Sequence, residues 1–139
     1  MNEEQLEHLR HSCAHLLAAA VLELYPNAKR TIGPAIATGF YYDFDLGDQK
    51  LSDADLSAIE KKMQSIVQTW KQFERTEVSA SDAKKAFEGN EYKHELIDEF
   101  SGEGQKLTLY TSGKYVDLCR GGHADSPSKE LRHFKLLSI

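Results

Sequence analysis

Cysteine is scarce in this chain: Cys13 and Cys119 are its only two among 139 residues. That excludes a disulfide framework, and a Cys13–Cys119 bridge, though possible on count, is not expected. An excess of basic residues is missing too. The 17 Lys and Arg are outnumbered by 22 Asp and Glu, for a net charge of −5. A general nucleic-acid binder, and DNA as a partner, are therefore not expected, because phosphate contacts draw on surplus Lys and Arg. Any such contact would be local or helped by other parts of a larger protein. Long apolar runs are absent as well. The longest uncharged apolar stretch, residues 12–22, falls short of the ~20 residues that cross a bilayer. No charged-then-apolar leader opens the chain, and no repeat or low-complexity segment interrupts it. The default expectation is one domain over residues 1–139 in a reducing, cytoplasmic setting, without a membrane partner.

What is present is enough apolar matter for a core, 40% of residues, and a readable order of elements. Asn2, with Gln5 three residues on, starts a helix that stops before Pro26 near Leu24. Residues 12–22 carry no charge on any side, so this helix is expected to be buried. Residues 40–46 alternate as a strand, with Phe40, Tyr42, Phe44 and Leu46 on one face. Ser52 and Asp55 open an amphipathic helix whose apolar residues continue to Trp70. A strand over 73–78 and a short helix over 81–88 follow. Residues 91–100 read equally as helix or strand. Two strands over 105–110 and 114–119 join at residues 111–113. The second puts Tyr115, Asp117 and Cys119 on one face. A last strand is expected over 131–139, and the chain stops without a cap or tail, which suggests a piece of something longer. The predicted fold class is α+β: a mainly antiparallel sheet, holding Tyr42 and the 117–119 strand, packed around the buried helix and the amphipathic helix.

Chemistry concentrates in two pairs. His11 and His15 lie four apart, hence on one helical face. Cys119 and His123 also lie four apart, joined by a tight turn at residues 120–122. Three imidazoles and a thiol suit zinc, or a hydrolytic centre built from the same groups. Ala18 and Ala19 beside the histidines leave room for a pocket. A thiol-protease reading of Cys119 is disfavoured, because a strand end lacks the helix N-terminus that lowers a thiol pKa. Blander readings stand beside the sharp ones. Tyr42 would be a core aromatic, Lys93 a solvated lysine, and Asp117 a charge on the solvent face of an edge strand. His8, His94 and His133 have no partners at useful spacing and are expected at the surface.

Specific strings carry a family resemblance. R-H-S-C-A-H-L-L stands at residues 10–17, I-G-P at 32–34, G-F-Y-Y-D-F at 39–44, Y-K at 92–93, and Y-V-D-L-C-R-G at 115–121, followed by His123. The chain resembles the editing domain of bacterial threonyl-tRNA synthetase, the second additional domain shared with alanyl-tRNA synthetase and free-standing alanyl-editing proteins. The strings occur in family order and cover nearly the whole chain. One departure is Gly122, where the family pattern usually has proline, which loosens the turn before His123. The ubiquitin-like, ligation and anticodon-binding parts of such synthetases are not in this sequence, so ATP-dependent threonine activation is not expected of it.

The resemblance implies hydrolysis of mischarged Ser-tRNA(Thr). A synthetase pocket rejects serine by only one methyl, worth about 1–3 kcal/mol, so a second site must remove it. Carried over by position, Lys93 and His11 would position and activate a water. His15, Cys119 and His123 would hold the terminal ribose and aminoacyl group. Asp117 would bind the serine ammonium, and Tyr42 would line the pocket. The implied partners are the acceptor end of tRNA(Thr) bearing serine and the rest of the parent synthetase. No cofactor is expected to be required; alanyl-type relatives hold zinc through the same pattern, which makes His11, His15, Cys119 and His123 the alternative zinc ligands. Two other classes remain open: a tRNA acceptor-end binding module without hydrolysis, and a structural zinc domain.

Overall fold

The computed structural model describes residues 2–33, 35–119 and 121–138. Pro34 of the I-G-P string, Arg120 of the tight turn and Ile139 of the expected last strand lie outside the described residues.

The architecture is α+β, as the pattern of elements predicts. Helix α1 spans Glu3–Leu24 and begins with a complete capping box between Asn2 and Gln5. Its stop at Tyr25 precedes Pro26, which removes the helical option. Nearly every residue from Ser12 to Val21 is buried, as an all-round apolar helix demands. Strands β1 (Lys29–Arg30) and β4 (Phe44–Asp45) pair antiparallel, enclosing the short hairpin of β2 (Ala35–Ile36) and β3 (Gly39–Phe40). Helix α2, Asp53–Val67, is capped at Ser52, whose amide donates to Asp55. It lays Ile59, Met63 and Val67 against α1, and Trp70 completes this core just beyond its end.

A second layer follows. Strand β5 (Glu74–Val78) pairs with β6 (Leu107–Ser112), which pairs with β7 (Tyr115–Leu118), all antiparallel. Helices α3 (Ala80–Ala86) and α4 (Glu91–Gly102) join them around a smaller core of Ala83, Phe87, Ile97, Leu107, Leu109 and Leu118. Residues 91–100, ambiguous in pattern, are helical because Asn90 caps them. Its side chain accepts from the amides of Tyr92 and Lys93. Helix α5 is one turn, Pro127–Glu130.

Two expected strands are corrected. The run over residues 40–46 is split between β3 and β4, with no strand at 41–43. Tyr42 turns inward there: its ring sits where a Cβ on Gly33 would be, and stacks on Phe44 at 4.9 Å. Tyr42 therefore does not lie on the sheet that carries Asp117. Residues 131–138 form no strand either. They dock on α2 through single anchors, Leu131 in the core and the Leu136 amide donating to Glu60 at 2.6 Å. Their backbone meets a side-chain carboxylate rather than a strand partner. The β6–β7 turn is also tighter than expected, with Ser112 opposite Tyr115 and Gly113 at φ +58°.

Candidate functional site

The two halves of the motif meet. His11 and His15 come from the middle of α1, Cys119 from just past β7, and His123 from the loop after it. One ligand atom from each lies within 4.8 Å of all the others. The Nε2 atoms of His11 and His15 face one another at 3.3 Å, and Cys119 Sγ lies 3.1 Å from His123 Nε2. His123 is held on both ring faces, by Phe73 at 4.2 Å and His11 at 4.4 Å between centroids.

The partners behind the rings are informative. His11 Nδ1 lies 3.2 Å from the Gly122 carbonyl, and His15 Nδ1 lies 3.1 Å from an Asp117 oxygen. Both partners only accept, and the Tyr115 hydroxyl, 3.3 Å from His15 Nδ1, gives its proton to Asp117, so a ring carrying a single proton carries it on Nδ1. Both Nε2 lone pairs are then bare and directed into the cluster. This is the arrangement that metal-ligating histidines use, with a carbonyl or carboxylate fixing the far nitrogen. The four residues could therefore hold a metal ion, and their chemistry fits zinc.

Asp117 is the hub behind the cluster. It is 1% exposed, and one oxygen accepts from Tyr42 and Tyr115, each at 2.7 Å, besides His15. The other accepts from the Leu118 amide at 2.8 Å and from Lys93 Nζ at 2.9 Å. The Arg30 guanidinium stands 3.6 Å away. Burial opposes ionisation of Asp117, but Lys93, His15 and Arg30 outweigh it and hold the carboxyl well below its usual range. Lys93 is 2% exposed, and burial lowers its pKa against the pull of Asp117. Burial and the neighbouring His15 bring His11 down to about 4, and burial with His15 and His11 brings His123 down to about 2. Burial pushes the Cys119 thiol up to about 12, which removes the basis for a thiolate nucleophile.

Every site residue read from the sequence thus falls in one connected region, and several of the blander readings fail. Lys93 and Asp117 are buried rather than solvated; Tyr42 is the core aromatic of the bland reading, and its hydroxyl is in addition tied to both. Of the remaining histidines, His133 is exposed, whereas His94 is half-buried against the Lys84 carbonyl. Asp117 already takes five protein donors on its oxygens, so a substrate ammonium would have to displace one of them. One expectation needs correction: Ala18 is packed into the core, and Ala19 borders a groove with Leu22, Trp70 and Tyr115 whose lining includes none of the four cluster residues. Arg30, Ser12 and Phe73 were not foreseen as site residues. Ser12 carried a signal, as a polar residue inside the uncharged run; Arg30 carried none.

The fold and the site define a small α+β module organised around a buried His–His–Cys–His centre backed by an aspartate. Over 138 residues, 99% of its length, it is 50% identical to a threonine–tRNA ligase of Staphylococcus aureus, strain bovine RF122 / ET3-1. The threonine–tRNA ligases of strains JH9 and Newman match at 50% over 137 residues. The chain spans 21% of the length of these relatives. No protein-family profile matches it. The chain is thus homologous, almost end to end, to one segment of threonyl-tRNA synthetase, as its motifs suggested.

Proposed function

We propose that this chain is an aminoacyl-tRNA editing module that hydrolyses serine from mischarged tRNA(Thr), working in the cytoplasm as part of a threonine–tRNA ligase. The observation that carries the reading is the juxtaposition of bare imidazole nitrogens with a buried Lys–Asp pair. Ester hydrolysis needs a proton acceptor for the attacking water and a positive group near the oxygen that gains charge. His11, bare at Nε2, is the acceptor. Lys93 spends two of its three N–H bonds on Asp117 and Tyr42 and keeps one for the carbonyl oxygen or the water. Water oxygen attacks the ester carbon, its proton passes to His11, and the ester C–O bond breaks. That proton then goes to the departing ribose oxygen, giving serine and a free terminal hydroxyl. Cys119, His15 and His123 border the reacting group, and Tyr42 holds Lys93 in place. Asp117 acts by orienting His15 and Lys93 rather than by binding the ammonium.

No metal is needed for this sequence of steps. Were zinc to occupy His11, His15, Cys119 and His123, it would supply Lewis-acid polarisation of the ester carbonyl. The net charge of −5 implies that the acceptor end is delivered by the rest of the synthetase.

The experiment is deacylation of Ser-tRNA(Thr) beside Thr-tRNA(Thr), with Lys93→Ala and His11→Ala variants and with metal content measured on untagged protein. Loss of serine alone, abolished by either substitution, is expected. No turnover by the full-length parent would leave only an acceptor-end binding module. One tightly held zinc per chain, required for folding but not for turnover, would make this a structural zinc domain.

A further inference from the structure

We propose that Ser12 is a positioning residue of this site, its hydroxyl fixing the ring of His123 so that Nε2 meets Cys119. The inference rests on the editing reading for its kinetic part only.

Ser12 is 0% exposed, in the middle of α1. A serine inside a helix ordinarily bonds back to the carbonyl one turn earlier or faces water. This one does neither. Its Oγ reaches across to the loop after β7, accepting from the Ala124 amide at 2.9 Å and lying 3.0 Å from His123 Nδ1. The amide pins the oxygen, leaving one lone pair and one hydroxyl proton for the imidazole. His123 is then constrained on every side. Phe73 and His11 hold its faces, Ser12 holds the Nδ1 edge, and Nε2 is left pointing at Cys119.

Ser12 also differs from the partners of the other two rings. Gly122 presents only an acceptor to His11, and His15 Nδ1 faces Asp117 together with the Tyr115 hydroxyl at 3.3 Å, whose proton is given to Asp117, so both rings are set to carry Nδ1–H. A hydroxyl both donates and accepts. By rotating one O–H bond, Ser12 supports either tautomer of His123 without moving the ring. His123 is therefore the one imidazole of the three that can present Nε2 as donor or as acceptor while its orientation stays fixed.

The purely structural alternative is that Ser12 only staples the Ala124 amide to α1. A Ser12→Ala and a Ser12→Thr form of this chain distinguish the two, each checked for folding by thermal melting. Loss of such an outer partner costs about 10–100-fold. Positioning predicts that fall in kcat for the alanine form, KM unchanged, and recovery in the threonine form. It also predicts, with no substrate present, that the 15N ring signals of His123 shift in Ser12→Ala while those of His11 stay. A folded alanine form with unaltered kcat, or with unaltered His123 signals, overturns the proposal. Should Ser12→Ala not fold, the wild type decides: a slowly exchanging Ser12 hydroxyl proton with an NOE to the His123 ring supports the contact, and its absence overturns it. Should the wild type show no deacylation, the functional reading fails and the ring signals alone judge Ser12.

Discussion

Asp117→Asn is the most searching perturbation of this molecule. The carboxylate is 1% exposed and takes five hydrogen bonds, one of them from the Lys93 ammonium at 2.9 Å. The amide is nearly the same size but uncharged, and half of it donates. Whichever way it flips, an N–H meets either the Lys93 and Leu118 donors or His15 and the tyrosines. Lys93 is then a buried ammonium without its counter-ion, beside Arg30. Removing one partner of a buried ion pair costs about 3–5 kcal/mol. Small domains have about 5–15 kcal/mol in total. With a urea slope of about 2 kcal/mol/M, the midpoint should fall by about 2 M.

The pH dependence follows from the Lys93 side. A buried amine whose folded pKa is lowered binds fewer protons folded than unfolded, so stability rises with pH up to the unfolded value. Without Asp117 the lowering is greater, so the gap between variant and wild type should narrow from pH 7 toward pH 10. Asp117 itself, held well below its usual range, contributes stability that is full above the unfolded carboxyl pKa. That contribution disappears only as pH falls through the folded value. Urea melts of wild type, Asp117→Asn, Lys93→Met and the double variant give the cycle. The double variant should recover part of the loss, with a coupling of about 1.5–3 kcal/mol. A single Asp117→Asn cost below about 1 kcal/mol, or strict additivity, would refute the claim that this carboxylate holds a buried cation.

Two further tests address the rings and the turn. His11 is depressed from 6.5 to about 4, so the unfolded chain binds its proton first as pH falls. Wild type should lose up to about 3 kcal/mol between pH 6.5 and 4 on this account, and His11→Gln should flatten that limb in chelator-treated protein; an unchanged slope would show that His11 is not buried neutral. Gly121 has φ +106°, and a Cβ there would collide with the Tyr110 hydroxyl oxygen. Gly121→Ala should therefore cost about 1–2 kcal/mol from backbone alone, displace His123, and depress serine release more than a stability-matched core variant does.

The outlines of this fold were legible where local signals agreed with tertiary demands. The Asn2–Gln5 box, the Pro26 stop and the uncharged run gave α1 to within a residue, because capping and burial are written in consecutive positions. The four-residue spacings brought His11, His15, Cys119 and His123 to one place for the same reason. Failures came where a side chain was drawn away by a distant group. Phe40 to Leu46 alternate like a strand, yet the Tyr42 hydroxyl is committed to Asp117 and Lys93, and the backbone breaks to deliver it. Residues 131–138 read as a strand but find no strand partner. Asp117 read as a site residue with an exposed charge as its bland alternative, and its burial was not legible, since nothing nearby in sequence shows that Arg30 and Lys93, 87 and 24 positions away, stand next to it.

The same network explains why the cluster is so sensitive to what enters it. Acceptors behind His11 and His15 turn two lone pairs toward each other at 3.3 Å, a repulsive contact unless something electropositive lies between or beside them. Three species qualify: a proton shared by the rings, a metal ion, or a cationic or polarised group of the substrate. Lys93 is already committed to Asp117, and Arg30 to the Val116 carbonyl at 2.6 Å, so neither relieves the contact from within. A site held in this state binds a proton donor well, and an attacking water is one. On the proposed reading Asp117 would serve hydrolysis without touching the substrate: by accepting from Nδ1 of His15 it leaves Nε2 facing the cluster, and by pairing Lys93 it keeps a positive charge beside it.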